Sequence, residues 1–242
     1  MSVNAFEASL KESILFLKSI NHYGANGTKN INKNGVSSEF KSASQQSNYH
    51  IVYQTAVRNL DFDFSLKDNS IFQFSYKERL DIPEVRYAFF QNPKTFISYY
   101  EFLDIQRNLN LLDETNDEIG ELYLEEYEQF LDEQQLNMSS ITIRYDVDPH
   151  NYNPLIHSTS HIHIGHLNNI RIPCDKILSP LKFTLFVIKH IYYFIWKNFV
   201  ESNNDTYNAL LKTAKNGCPL LSDSYWKEHE FGIHENKELF LS

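Results

Sequence analysis

SITIRYDVDPHNYNPLIHSTSHIHIGHLNNIRIP, residues 140–173, contains three runs in which polar and apolar side chains alternate. In the first, Ile141, Ile143, Tyr145 and Val147 alternate with Thr142, Arg144, Asp146 and Asp148. In the second, His161 and His163 oppose Ile162 and Ile164, and in the third Asn169 and Arg171 oppose Ile170 and Ile172. A period of two places alternate residues on opposite faces of a strand. The runs therefore predict half-solvated antiparallel strands, with a turn at Gly165 that suits a hairpin. If the strands adjoin, one face gathers Arg144, Asp146, His161, His163, Asn169 and Arg171.

Five of the ten histidines, His150, His157, His161, His163 and His166, lie within this stretch, more than packing alone requires. Two His at i and i+2 on a strand sit roughly 6.5 to 7 Å apart at the backbone, so both rings can flank one phosphate or one metal ion. Near neutral pH one imidazole can hold a proton while the other lacks it, which suits paired acid and base catalysis. Arg144 and Arg171 supply phosphate ligands, Asp146 an orienting carboxylate or a metal ligand, and His157 joins the candidate catalytic set. The same alternation also describes cross-strand pairing on an ordinary ladder, and a non-catalytic ligand or divalent-metal site uses the same residues. Gly165 stands where a histidine-triad hydrolase needs its third His. His229, Glu230 and His234 lack the spacing of a zinc-protease helix. With no Gly-rich phosphate loop, Ser elbow or CxxC, no nucleotide cofactor is implied.

Outward from this stretch the chain reads as α+β. Phe62, Phe64 and Leu66 alternate with Asp61, Asp63 and Ser65; a Lys67-Asp68-Asn69 turn follows, then Phe72, Phe74 and Tyr76, which predicts a hairpin. Phe6, Leu10, Ile14 and Leu17 predict a first helix capped by Asn4 and reaching about Ser19. Ser179 as cap and Pro180 as first helical residue predict a long helix to Asn198, with Leu181, Leu185, Ile188, Tyr192 and Ile195 towards the core. We expect the sheet to carry the N-terminal helix on one side and this helix on the other. Residues 22–48, rich in Gly, Asn, Ser and Lys, read as a flexible loop. Tyr49 to Val57 fits strand or helix, and Thr95 to Leu103 reads as a short helix after Pro93. No linker divides the 242 residues, so one domain is expected.

Net charge is −9, which argues against a polyanion partner until its distribution is seen. Leu111 to Gln135 holds ten acids and no Lys or Arg, leaving about +1 for the rest of the chain. Residues 111–135 read as an acidic helical segment, either solvated or a docking arm for a basic protein partner, and the near-neutral body can still hold an anion site. Two cysteines, Cys174 and Cys218, are too few for a disulfide framework and fit a reducing cytoplasm. The start, MSVNAFEASLKESILFLKSIN, lacks the basic and apolar regions of a signal peptide. Pro180 to Val200 is broken by Lys182, Lys189, His190 and Lys197, so no membrane association is expected.

The stretch RYDVDPHNYNPLIHSTSHIHIGHLNNIRIP, with the helix after it and the C-terminal HE…LFLS, resembles a bacterial family, domain of unknown function 2290, from about Tyr49 onward. The resemblance implies no assigned activity. Arg144, Tyr145, Asp146, Pro149, His150, His161 and His163 are also similar in arrangement to TumE-type toxins, although this chain is longer. That likeness implies a nuclease-like core in a bacterial conflict or defence system. From the shared polar face, the expected function is phosphodiester cleavage, with RNA as substrate and His161 and His163 as acid and base. The alternative is a non-catalytic subunit or adaptor that binds a partner through its acidic arm and aromatic surface.

Overall fold

The computed structural model describes residues 1–29, 35–93, 99–108, 123–137, 140–154, 156–167, 170–202, 204–222 and 224–226. Seven strands form one sheet in chain order, each antiparallel to the next: β1 (Tyr23–Asn26), β2 (Phe64–Leu66), β3 (Ile71–Lys77), β4 (Glu84–Phe90), β5 (Thr142–Val147), β6 (Ser160–Ile164) and β7 (Arg171–Pro173). The eight described helices are α1 (Val3–Ser19), α2 (Ser38–Ala43), α3 (Tyr49–Arg58), α4 (Tyr99–Asn108), α5 (Leu124–Asn137), α6 (Pro180–Ile191), α7 (Tyr193–Ser202) and α8 (Asn204–Asn216). The chain divides into two compact units, one of Met1–Gln91 with Ile141–Ser242 and one of Asn92–Ser140. In the second unit Phe102 and Leu103 of α4 are buried with Tyr99, Tyr123, Tyr127 and Phe130, while Glu125, Glu126 and Glu128 of α5 are exposed. Residues 109–122, which carry five of the ten acids of the acidic stretch, lie outside the described residues.

The sheet has two unlike faces. Phe72, Phe74, Tyr87, Phe89, Ile143, Tyr145 and Ile162 point into the main core, where Phe6, Leu10, Phe16 and Leu17 of α1 meet Leu181, Phe183, Leu185 and Ile188 of α6. Both long helices thus lie on the same side of the sheet, not on opposite sides as expected. The Ser9 Oγ of α1 accepts a hydrogen bond from the Leu181 N–H at the start of α6 (3.0 Å), satisfying a helix-end donor and holding the two helices together. On the other face Ile71, Ala88 and Phe90 pack with Phe40, Val52, Tyr53 and Ala56 from α2 and α3. These short helices cover only part of that face.

Several local readings are refined. Ser2, not Asn4, caps α1. Tyr49 to Arg58 is helical, and the helix after Pro93 is described from Tyr99 to Asn108, with residues 94–98 outside the described set. The long helix begins at Pro180 with Ser179 as cap but breaks at Tyr192, whose hydroxyl donates to Asp68 Oδ2 in the β2–β3 turn (2.6 Å). After the break α7 buries Trp196 and Phe199. The segment 22–48 contains β1 and α2, with residues 30–34 outside the described set. Its glycines permit close approach as well as bending: a Cβ on Gly24 would stand 2.4 Å from Leu66 O, and one on Gly27 1.9 Å from Phe62 O. The hairpin is present as expected, with Phe64 opposite Phe72 and Asn69 at φ 66° in the turn.

Candidate functional site

Strand register assembles the site. Arg86, Asp146 and His161 are successive partners across β4, β5 and β6, while Arg144, His163 and Arg171 are partners across β5, β6 and β7. Two adjacent rows of polar side chains therefore lie on the face that the long helices leave uncovered. The opposite face sets this orientation: Ile143, Tyr145, Val147 and Ile162 are fully committed to the core, so a one-residue slip would bury the charges. Tyr145 anchors the register, since its hydroxyl accepts from Leu178 N–H (2.9 Å) and shares a hydrogen bond with Ser160 Oγ (2.8 Å).

Asp146 is the hub. Arg144 Nε donates to its Oδ2 at 2.6 Å, His163 Nε2 lies 3.4 Å from the same oxygen, and Arg86 Nε stands 3.7 Å from Oδ1. Burial alone would raise its carboxyl, but His163 and the two guanidinium groups outweigh burial and hold it below the usual carboxylate range. His161 is only 2 % exposed, and its Nδ1 lies 2.7 Å from Ser158 O. A carbonyl can only accept, so Nδ1 carries the proton and Nε2 presents a lone pair. Burial pushes the His161 imidazole down to about 4, with His163 and His157 adding to the effect, so the ring is neutral at physiological pH. The rings of His161 and His163 are 4.7 Å apart and those of His157 and His161 4.9 Å apart. His157 Nδ1 is buried with no hydrogen-bond partner among the described residues.

Six of the expected residues, Arg144, Asp146, His157, His161, His163 and Arg171, are thus gathered. Asn169 lies outside the described residues, as do His229, Glu230 and His234. His150 pairs with Glu84 (3.0 Å) at the edge of the same small cavity, and His166 lies against Gln46 O (2.7 Å) in the lining of the larger one. Arg86 was not anticipated. Its strand alternates Val85, Tyr87 and Phe89 inward, which marks Arg86 as outward-facing, but its pairing with Asp146 spans a 59-residue gap that no local pattern bridges.

Two cavities meet at these rows, and Arg86, Arg144, His163 and Arg171 line both. The smaller, about 410 Å³, adds Glu84, Asp146, Asp148, His150, His157 and His161. The larger, about 660 Å³, is lined by Lys41, Arg86, Arg144 and Arg171 with no acid among the described residues, and by apolar side chains of α2, α3 and β4. Arg171 makes no ion pair among the described residues. One ligand atom from each of Asp146, His161 and His163 falls within 4.8 Å of the others, close enough to chelate a metal ion. No described helix is long and apolar enough to cross a membrane.

A family model described as an uncharacterized conserved protein, DUF2290, matches residues 18–220. No curated protein matches, and no solved structure matches. The likeness to TumE-type toxins is not shown by these comparisons.

Proposed function

The chain belongs to the DUF2290 family, and from its polar sheet face we propose that it cleaves phosphodiester bonds in RNA. The observation that carries this reading is the register of β4 to β7, which sets two histidines among three arginines around one carboxylate. The positive excess lies on the side of the larger cavity, where Lys41, Arg86, Arg144 and Arg171 stand with no acid among the described residues, and it favours a phosphate there over a metal cation. The phosphate sits at Arg86, Arg144 and Arg171, where guanidinium groups stabilise the charge that develops on its oxygens. His161 Nε2 accepts the proton of the ribose 2′-hydroxyl as that oxygen attacks phosphorus. The negative charge of the bound phosphate raises the imidazole from its depressed value, making it a better base. His163, oriented by Asp146, donates a proton to the departing 5′-oxygen. The products are a 2′,3′-cyclic phosphate and a free 5′-hydroxyl. A degradative activity of this kind suits a toxin or defence effector.

The test incubates the purified protein and its His161→Ala and His163→Ala variants with RNA and with DNA, with and without chelator. RNA cleavage to cyclic phosphate ends that survives chelation and falls at least about 100-fold in either variant supports the reading. Full activity in both variants would overturn it. The metal triad favours a second reading, in which Asp146, His161 and His163 hold a divalent ion once Arg144 has released Asp146. Cleavage that is abolished by chelator and restored by a divalent metal would select that reading.

A further inference from the structure

The 660 Å³ cavity is not needed for the chemistry above, yet it opens directly onto the arginine row. Its size lies in the range of small-molecule sites. One side is apolar: Val36 precedes α2, Phe40 lies on α2, Val52 on α3, and Ala88 and Phe90 come from β4. Phe40 and Phe90 meet edge to face, with ring centroids 5.9 Å apart. Among these groups stands Gln73, buried on β3, whose Nε2 donates to Asp61 O. That bond fixes the amide orientation and leaves Oε1 as an acceptor. The cavity thus combines an apolar wall, a fixed acceptor and four cations, three of them in the arginine row. A phosphate alone needs only that row.

We infer that this cavity takes one unpaired nucleobase, attached to the phosphate held at Arg86, Arg144 and Arg171, and that Gln73 selects bases carrying an exocyclic amino group. The inference rests on the phosphodiester-cleavage reading and adds a substrate class to it: single-stranded RNA. A base held in a duplex stack cannot enter a walled cavity until it is unpaired and unstacked, at a cost of a few kcal/mol. Single strands present their bases to apolar and aromatic surfaces at no such cost. Uracil offers a carbonyl where cytosine offers an amino group, so it would face the Gln73 acceptor without a donor.

The experiment compares wild-type cleavage of one RNA as a single strand and as a blunt duplex, then of cytidine and uridine homopolymers. We expect the single strand to be cut about 100-fold faster than the duplex, and the cytidine polymer about tenfold faster than the uridine polymer. Gln73→Ala should bring the two homopolymers to equal rates, and Val36→Trp, which fills the cavity while leaving His161 and His163 in place, should slow both. Equal cleavage of duplex and single strand by wild type, with activity still lost in His161→Ala, would overturn this inference and leave the catalytic reading standing. No cleavage of either RNA overturns both. The wild-type comparison needs no variant to fold, so the outcome stands even if a cavity substitution destabilises the protein.

Discussion

Lowering the pH should destabilise this protein through one ring, and His161→Asn isolates the effect. Burial pushes the folded-state imidazole from its ordinary 6.5 to about 4. Between those values the unfolded chain binds a proton that the folded chain rejects, so stability falls as pH drops through 6.5, and the loss is complete below about 4. A difference of roughly 2.5 pH units at about 1.4 kcal/mol per unit predicts a loss of about 3 kcal/mol between pH 7 and pH 4 from this residue alone. Asparagine places an amide donor near the position of Nδ1, so the hydrogen bond to Ser158 O is kept and the titrating group is removed. Urea unfolding of both proteins at pH 7 and pH 4 gives the comparison. Carboxylates and the other histidines contribute to both proteins and cancel in the difference. The variant should lose about 3 kcal/mol less than the wild type on acidification. Equal losses would show that His161 is not a buried neutral ring, and would remove the basis for assigning it as the base.

Lys29 and Asp63 form a buried ion pair at 3.4 Å, with the lysine Nζ also donating to Phe74 O and Asp63 accepting from Phe74 N–H. Lys29→Met should cost about 3–5 kcal/mol, because it leaves a buried carboxylate without its cation; thermal or urea unfolding measures it. Arg171→Ala removes a guanidinium unencumbered by any ion pair among the described residues. It should lower cleavage about 100-fold and flatten the salt dependence of RNA binding with little change in melting temperature. Reversing Glu125 and Glu126 on the exposed surface of α5 should leave RNA cleavage unchanged. A loss of a stable protein complex in that variant, without loss in His161→Ala, would favour the adaptor alternative.

The strands around the site were legible because their alternation has a period of two, and the core and solvent faces of β5 and β6 follow from it directly. Ser179 and Pro180 likewise announced the start of α6, and the Lys67-Asp68-Asn69 turn announced the β2–β3 hairpin. Tyr49 to Arg58 was not legible, since Ile51 and Tyr53 satisfy a strand and a helix equally well over so short a run. Because glycine signals turns locally, the Gly-rich segment after His22 reads as loop. Here it serves a non-local need, the close approach of β1 to β2. Nor could the sequence show that α6 would break at Tyr192, because the hydrogen bond to Asp68 joins residues 124 positions apart.

By itself the sequence determined the α+β class, the polar face of β5 and β6, and most of the candidate residues, for these depend on side-chain spacing within a single strand or helix. Tertiary structure alone decided that α1 and α6 share one side of the sheet, leaving the histidine face open, and that Arg86 joins Asp146 from β4. It also decided that α2 and α3 wall a cavity beside the arginines. Each of these depends on which distant segments pair and pack. That choice follows from the total burial and hydrogen bonding of the folded chain, which no local pattern contains.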